Sequence, residues 1–411
     1  MKTNQLQKNI SNGWQLIPVG DIFEFVKTYA FSRDNLNTEI ISNNQVGSIH
    51  YGDIHSTYTG TTVDISKTKI PCIKDREFNP KKEELLKDGD LVMADASEDY
   101  EGVGVTVSIH GIGTNKVVGG LHTFVLRDEK SKTTEYYRQY IFRNKEIRNK
   151  LQKVANGVSV YGISKTALSK LLLPIPAIRE QNRIVSVLET WDKNIEKLNK
   201  KIEIKKQIKK GLMKKLLTGK KRLSGFKDKW ETKEIGELLD YEQPNKYIVN
   251  DTDYDDVHKT PVLTANKAFV LGYTNETEGI YKNHPVIIFD DFTMDNKFVD
   301  FDFKVKSSAI KILSPKNKDV NLKFVFERIQ LINVIIGQHR RHYLSEYQYI
   351  TMDTPNIKEQ NAIAEILVTA DKEITELENK LSIIKDQKKF LLNNLITGVI
   401  RTPENLSINI K

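Results

Sequence analysis

Two stretches of the chain carry apolar residues at heptad spacing, while the rest alternates short apolar runs with glycine-containing turns. The first stripe runs Ile184, Leu188, Trp191, Ile195, Leu198, Ile202, Leu212 and Leu216. The second runs Ile363, Leu367, Ala370, Ile374, Leu377, Leu381, Ile384, Leu391 and Leu395. Apolar positions at this spacing form a narrow seam on a helix, and such a seam is buried by a partner helix. Lys205 and Lys209 interrupt the first seam, with Ile204 and Ile208 one step aside. A proline followed by an acidic residue opens each stripe and Thr-Gly closes it, which suits the start and stop of a helix. Each stripe therefore predicts one rod of roughly forty residues, about 60 Å long, and the two rods are each other's nearest available partner.

The stripes are copies. Pro176-Ala-Ile-Arg-Glu-Gln-Asn182 reappears as Pro355-Asn-Ile-Lys-Glu-Gln-Asn361, 179 positions later, and the offset holds to Arg222 and Arg401. Of these 47 aligned pairs 22 are identical. Trp191 aligns with Ala370, an asymmetry that either complementary packing or drift after duplication explains. A weaker echo lies upstream, where Trp14-Gln-Leu-Ile-Pro-Val-Gly-Asp-Ile22 is similar to Trp230-Glu-Thr-Lys-Glu-Ile-Gly-Glu-Leu238. The chain is thus read in four parts: a lobe over 1–175, a helical region over 176–222, a second lobe over 223–354, and a second helical region with a tail over 355–411.

Within the lobes, Gly89–Asp95, Val103–Ile109 and His122–Leu126 read as short strands between glycine turns, as do Pro285–Phe289 and Ala309–Leu313. Each lobe ends in a helix, roughly Glu135–Ala155 and Leu322–Ile336. The fold class is α+β: two mixed α/β lobes joined by two long helices, with a pseudo-two-fold internal repeat.

Composition adds a partner class. The net charge of +9 and pI near 9.1 suit a polyanion. The lysines cluster on the first long helix: Lys200, Lys201, Lys205, Lys206, Lys209, Lys210, Lys214 and Lys215. They form a solvated face, or meet phosphates, or pair with acidic residues of a partner. The single Cys72 excludes an internal disulfide and a cysteine-based zinc cluster, which fits a reducing cytosol. The opening residues lack an apolar core and no run of eighteen apolar residues occurs, so secretion and membrane insertion are poor readings and the expected location is cytoplasmic.

The doubled Pro-x-x-x-Glu-Gln and Thr-Gly motifs, at constant spacing around a heptad helix, resemble the specificity subunits of type I restriction-modification enzymes over nearly the full chain. Tyr51-Gly-Asp-Ile54, Gly89-Asp-Leu-Val92 and Asn156-Gly-Val-Ser159 add to the likeness. The resemblance implies that each lobe is a target-recognition domain for one half of a split sequence in double-stranded DNA. It implies an antiparallel coiled coil that sets their separation. Two modification subunits would dock on it and methylate adenine at N6 with S-adenosylmethionine, and restriction subunits using ATP and magnesium would join. This chain itself would bind no cofactor or metal. The second lobe departs from the pattern: His284-Pro-Val-Ile-Ile288 replaces the Gly-Asp strand, and Gly337-Gln-His-Arg-Arg-His342 replaces a small-residue loop.

Side chains with two-pronged polar geometry read bases, while cations position the protein on phosphates. In the second lobe the candidates are Gln338, His339, Arg340, Arg341 and His342 in one loop, then Lys246, Tyr247, Asn266, Lys267 and Tyr273. Asp290 and Asp291 either face a cytosine amine or cap a turn. In the first lobe they are Tyr29, Arg33, His50, Tyr51, His55, Tyr58, Ser159, Tyr161 and Lys165. Asp53 either joins them or holds the adjacent glycine turn. The Gly157–Tyr161 loop occupies the place of Gly337–Arg341.

The catalytic motifs expected of the modification partner, Asn-Pro-Pro-Tyr or Asp-Pro-Pro-Tyr with a glycine-rich loop, do not occur. The histidines lack metal-ligand spacing. The expected role is a non-catalytic DNA-reading subunit. The alternatives are a coiled-coil regulatory protein that uses its lobes to hold proteins, and a member of the same family working only in modification.

Overall fold

The structure is a computed structural model that describes residues 13–37, 45–58, 60–157, 159–266, 268–332 and 342–406. The chain divides into two compact units, residues 1–197 with 381–411, and residues 198–380. The four-part reading treats the helices as separate parts. By contact, each unit takes one lobe together with about half of each long helix, whose residues pack into that lobe's core.

In the first unit, a five-stranded sheet has the order Glu24–Val26, Thr123–Arg127, Leu91–Ala94, Thr106–His110 and Thr62–Asp64. A four-stranded sheet runs Lys116–Gly119, Val46–Ile49, Cys72–Ile73 and Leu36–Asn37. The Gly-Asp motif has a local reason. Gly89 has a φ of +83°, where side chains are disfavoured. Its neighbour Asp90 forms a buried ion pair with Arg127 at 2.6 Å. The same guanidinium donates to the carbonyls of Glu83 and Leu85, tying a loop to the sheet.

The helix expected over Glu135–Ala155 is two helices, Glu135–Ile141 and Lys145–Val154. Asn144 breaks it. Its Oδ1 accepts from the amides of Glu146 and Ile147, capping the second helix, and its Nδ2 donates to the carbonyl of Asn393 at 2.9 Å.

The second unit is smaller in sheet. One sheet orders Leu239–Glu242, Ile310–Pro315, Val286–Asp290 and Asn296–Val299; another orders Val270–Thr274, Thr260–Leu263 and Lys304–Val305. Its closing helix is described over Leu322–Ile329, and positions 333–336 of the expected helix lie outside the described residues. Where the first lobe uses Asp90 and Arg127, this one buries Lys311 against Asp291 at 3.2 Å.

The long helices are Ile178–Leu216 and Ile357–Leu395, 39 residues each. No seam position is exposed: Leu188, Ile202, Leu216, Ile363, Leu367, Ile374, Leu381 and Leu395 are buried, and Trp191, Ile195, Leu198, Leu212, Ala370, Leu377, Ile384 and Leu391 half-buried. In the second unit Lys205 pairs with Glu373 and Lys209 with Asp371, so one helix ascends as the other descends. The lysines keep the seam positions, lying half-buried with their ends on carboxylates, while Ile204 and Ile208 remain exposed. Lys388 and Asp192, in the first unit, form the repeat-equivalent of the Lys209–Asp371 pair.

The repeated motifs build the same clasp twice. In the first unit Glu180 accepts from Trp14 Nε1 at 3.0 Å and from Arg401, whose Nη2 lies 2.6 Å away. In the second, Glu359 accepts from Trp230 Nε1 at 3.1 Å and from both prongs of Arg222 at 2.6 Å. The glycines of the Thr-Gly motifs, Gly398 and Gly219, have φ of +74° and +66° and lie against the Trp14 and Trp230 rings. Beside each glutamate, a buried glutamine hooks the lobe. Gln181 donates to the carbonyls of Pro176 and Lys132 and accepts from Thr134 N; Gln360 donates to those of Pro355 and Asp319 and accepts from Asn321 N. Antiparallel strand pairs complete both joints, Trp14–Pro18 with Leu172–Pro176 and Glu231–Glu234 with Thr351–Thr354.

Candidate nucleic-acid interface

In the first lobe the helix Tyr51–Ser56 organises the candidates. His50 Nδ1 accepts from Gly52 N at 3.1 Å, and Asp53 reaches back to His50 N, which closes a capping box. Asp53 is buried, and Arg33 grips it with two prongs at 2.6 and 3.2 Å. That hydrogen-bonded carboxylate raises the Arg33 pKa above its ordinary value. Asp53 therefore holds the turn, while Arg33 lies half-exposed at its side. Burial, then the nearby Arg33 charge, pushes the His50 imidazole below its usual range.

Tyr51 lies at the centre of a ring cluster. His50 is 4.6 Å away, His55 6.1 Å and His122 5.4 Å, the last two edge-on. His55 Nε2 lies 3.4 Å from the carbonyl of Ala96, and Ala96–Ser97 pairs with Tyr161–Gly162. The helix and the end of the 157–162 loop thus meet on one strand. Ser159 is exposed, and Tyr161 is half-buried with Tyr100 edge-on at 5.3 Å.

Three first-lobe candidates lie apart from this cluster. Tyr58 is buried in the lobe core, and burial drives its hydroxyl far above the ordinary tyrosine range. Tyr29 packs among Phe31 and Phe78 and donates to Glu84. Lys165 opens the helix Lys165–Ser169 and rests over the Phe25 ring at 4.8 Å.

In the second lobe Lys267, Gln338, His339, Arg340 and Arg341 lie outside the described residues. His342 is buried; its amide donates to the Asp291 carbonyl at 2.8 Å, and its Nδ1 lies 3.2 Å from Glu346. Asp291 also accepts from Tyr343 N, and Asp290 accepts from the amides of Phe292 and Thr293. The acidic pair is therefore turn and anchor. Lys246 and Asn266 are exposed. Tyr247 donates to Glu242 at 3.0 Å and packs edge-on against Tyr281, with burial and that carboxylate raising its pKa. Tyr273 is a half-buried strand residue opposite Pro261. Of the helix lysines, Lys205, Lys206 and Lys209 are engaged by Glu373, Glu378 and Asp371, whereas Lys201, Lys210, Lys214 and Lys215 are exposed.

Sequence reasoning missed His122 and Asp95, whose Nδ1 and Oδ1 lie 3.4 Å apart beside Tyr51. The adjacent Gly119-Gly120 pair marks a turn, but not which side chain it presents. Among the described residues, no three or more His, Cys, Asp and Glu side chains are grouped to hold a metal ion, and no helix is long and apolar enough to cross a membrane.

The doubled clasp carrying two different lobes has a counterpart among known proteins. The family model for the type I restriction modification DNA specificity domain matches twice, over residues 11–206 and 227–385. The chain belongs to the type I restriction-modification specificity family. Each match holds one lobe and most of the long helix that follows it. The specificity subunit of the Escherichia coli type I restriction enzyme EcoR124I/EcoR124II is 40% identical over 190 residues, covering 43% of this chain and 46% of that protein. The putative MjaX specificity subunit of Methanocaldococcus jannaschii is 25% identical over 423 residues, covering 95% of each. The fold is shared with the type I restriction-modification S subunit from M. genitalium, at a TM-score of 0.54 and 14% identity over 96% of this chain and 98% of that one. A chain from a structure of type I restriction-modification assembly gives a TM-score of 0.57 at 13% identity, over 95% and 99%.

Proposed function

We propose that this member of the specificity family reads a split DNA sequence, one half with each lobe, and that two modification subunits dock on its duplicated helices to supply the chemistry. The observation that supports this most is the joint built twice. One asymmetric chain repeats the Trp-Glu-Arg clasp and the glutamine hook, while the lobes attached to them diverge. A second doubling points to the docking surfaces. Ile204 and Ile383 occupy equivalent repeat positions and are 56% and 57% exposed. Exposed large apolar residues at matching places on two charged helices suit two copies of one partner.

In this reading the lobe-1 cluster around Tyr51 faces base edges, and Arg33 with the exposed Lys201, Lys210, Lys214 and Lys215 meets phosphates in a sequence-independent, salt-sensitive way. S-adenosylmethionine belongs to the modification subunits, ATP and magnesium to restriction subunits, and the assembly works in the cytoplasm. The chain orients DNA and does not itself transfer or cleave.

The test is selection from a mixed pool of duplexes by the chain assembled with its modification subunits. A two-part sequence with a fixed gap is expected. Enrichment of one contiguous site, or of none, would favour a regulatory interaction protein; methylation or cleavage by the purified chain alone would overturn the non-catalytic role.

A further inference from the structure

The turn joining strands Lys116–Gly119 and Thr123–Arg127 puts His122 in the left-handed backbone region, at a φ of +52°. That region is uncommon for side-chain-bearing residues, though Asn, Asp and His enter it more readily than others, and a residue held there is fixed by its surroundings. They do so on three sides. Gly120 N donates to the Ile49 carbonyl, Tyr51 N to the Leu121 carbonyl, and Asp95 N to the His122 carbonyl, at 2.9, 3.2 and 3.1 Å.

The side chain is aimed outward from this anchor. His122 is half-exposed, while its Nδ1 lies 3.4 Å from the Asp95 carboxylate, which is mostly covered. Tyr51 closes against the ring from the short helix, with His50 and His55 behind it on the same element and Arg33 beyond them on Asp53. Asp95 is itself fixed, because its carbonyl accepts from Ile163 N at 2.8 Å, next to the 157–162 loop. A strained, over-determined backbone thus presents an oriented imidazole beside the candidate base-reading cluster.

We propose that His122 is a specificity-determining residue of the first lobe, accepting at Nε2 from the exocyclic amine of a cytosine, and that Asp95 is its positioning residue. The inference rests on the reading that this lobe contacts one half-site. A carboxylate at Nδ1 holds the ring proton there, which leaves the outward Nε2 of the neutral imidazole as an acceptor. In the major groove cytosine offers its N4 amine as a donor, where guanine offers two acceptors and adenine sets its amine beside an acceptor.

The test uses the assembled complex with its modification subunits, on duplexes varied one base pair at a time. His122→Gly relieves the backbone strain, so its thermal midpoint should hold or rise. Yet it should lose about tenfold in discrimination at one cytosine of one half-site, the scale of a single base contact. His122→Asn also tolerates the backbone and should shift preference there toward adenine, whose N6 and N7 suit an amide. Asp95→Asn should weaken the same position only. If the parent selects a two-part sequence but both His122 variants keep its preferences at every position, the assignment is overturned and the functional reading stands. Equal weakening of both half-sites would also overturn it, by showing a structural role. Failure of the parent to select any two-part sequence overturns both.

Discussion

Arg401 closes an ion pair on Glu180, 221 positions earlier in the chain, and Arg222 closes the same pair on Glu359 from 137 positions away. Both glutamates are buried, and each also accepts an indole N–H. Removing the carboxylate leaves a guanidinium and an indole without their acceptor, next to a glycine turn that the indole covers. Breaking a buried pair costs roughly 3–5 kcal/mol, and partial exposure of the arginines lowers this to about 2–3 kcal/mol. Glu180→Ala should destabilise the first unit and Glu359→Ala the second. Urea unfolding followed by Trp14 or Trp230 fluorescence in single-tryptophan variants checks this; a shift below about 0.5 kcal/mol in both would show the clasps to be incidental.

His50 gives a pH dependence. Its burial and the nearby Arg33 hold its pKa below the ordinary value, so the folded lobe favours the neutral ring that accepts from Gly52 N. Above about pH 6.5, the unperturbed histidine value, both folded and unfolded chains are neutral and the cap contributes in full. As pH falls below that, the unfolded chain takes up the proton first, so stability is lost until the folded-state ring protonates too. Urea midpoints of the first unit should therefore drop between pH 7 and pH 5.5. His50→Asn, which can cap without titrating, should flatten that slope.

The seam lysines separate two cases. Lys205 makes a part-exposed pair with Glu373, and exposed pairs contribute about 0–1 kcal/mol. Lys205→Leu should therefore leave stability unchanged or raise it. Lys209 is more covered and faces both Asp371 and the buried Glu327, which Lys323 also contacts. Lys209→Leu leaves two carboxylates sharing one cation, and should destabilise the second unit by about 1–3 kcal/mol. Denaturation of the two variants side by side should show opposite signs.

Ile204 and Ile383 make the docking proposal divisible. Because both are exposed, Ile204→Asp and Ile383→Asp should leave the isolated chain's thermal midpoint within about 1–2 °C, as a surface change does. Each should remove one modification subunit, and the double variant both, which mass measurement of the assembled complex would count. Full assembly of the double variant would mean that the partner docks elsewhere.

The long helices were legible because a heptad seam writes its burial into local spacing, and the seam residues are the covered ones. Their clasps were only half legible. Glu180, Gln181, Gly398 and Arg401 stood out as repeated identities, but nothing local says that Arg401 meets Glu180 or that Trp14 covers Gly398. The break at Asn144 was invisible for the same reason, since Asn393, which receives its amide, is 249 positions away. Among the candidate DNA contacts, residue type alone grouped Tyr58 with Tyr51. Only packing separates a core tyrosine from one at the centre of an imidazole cluster. His122 escaped notice because a left-handed backbone at a histidine has no composition to betray it.

The helices also bear on the gap between half-sites. A seven-residue insertion in one helix alone would slide Lys205 and Lys209 out of reach of Glu373 and Asp371 on one side of the insertion, because the strands of the pair run in opposite directions. The informative variant therefore inserts one heptad in each helix, between Lys197 and Leu198 and between Lys380 and Leu381, where the two compact units divide. Both seams keep their phase, and each helix lengthens by about 10 Å at 1.5 Å per residue. At 3.4 Å per base pair that is roughly three base pairs. Selection of duplexes should return the parental half-sites with a gap longer by about three. An unchanged gap would show that the paired helices do not set the spacing, while unchanged half-sites confirm that the lobes still fold.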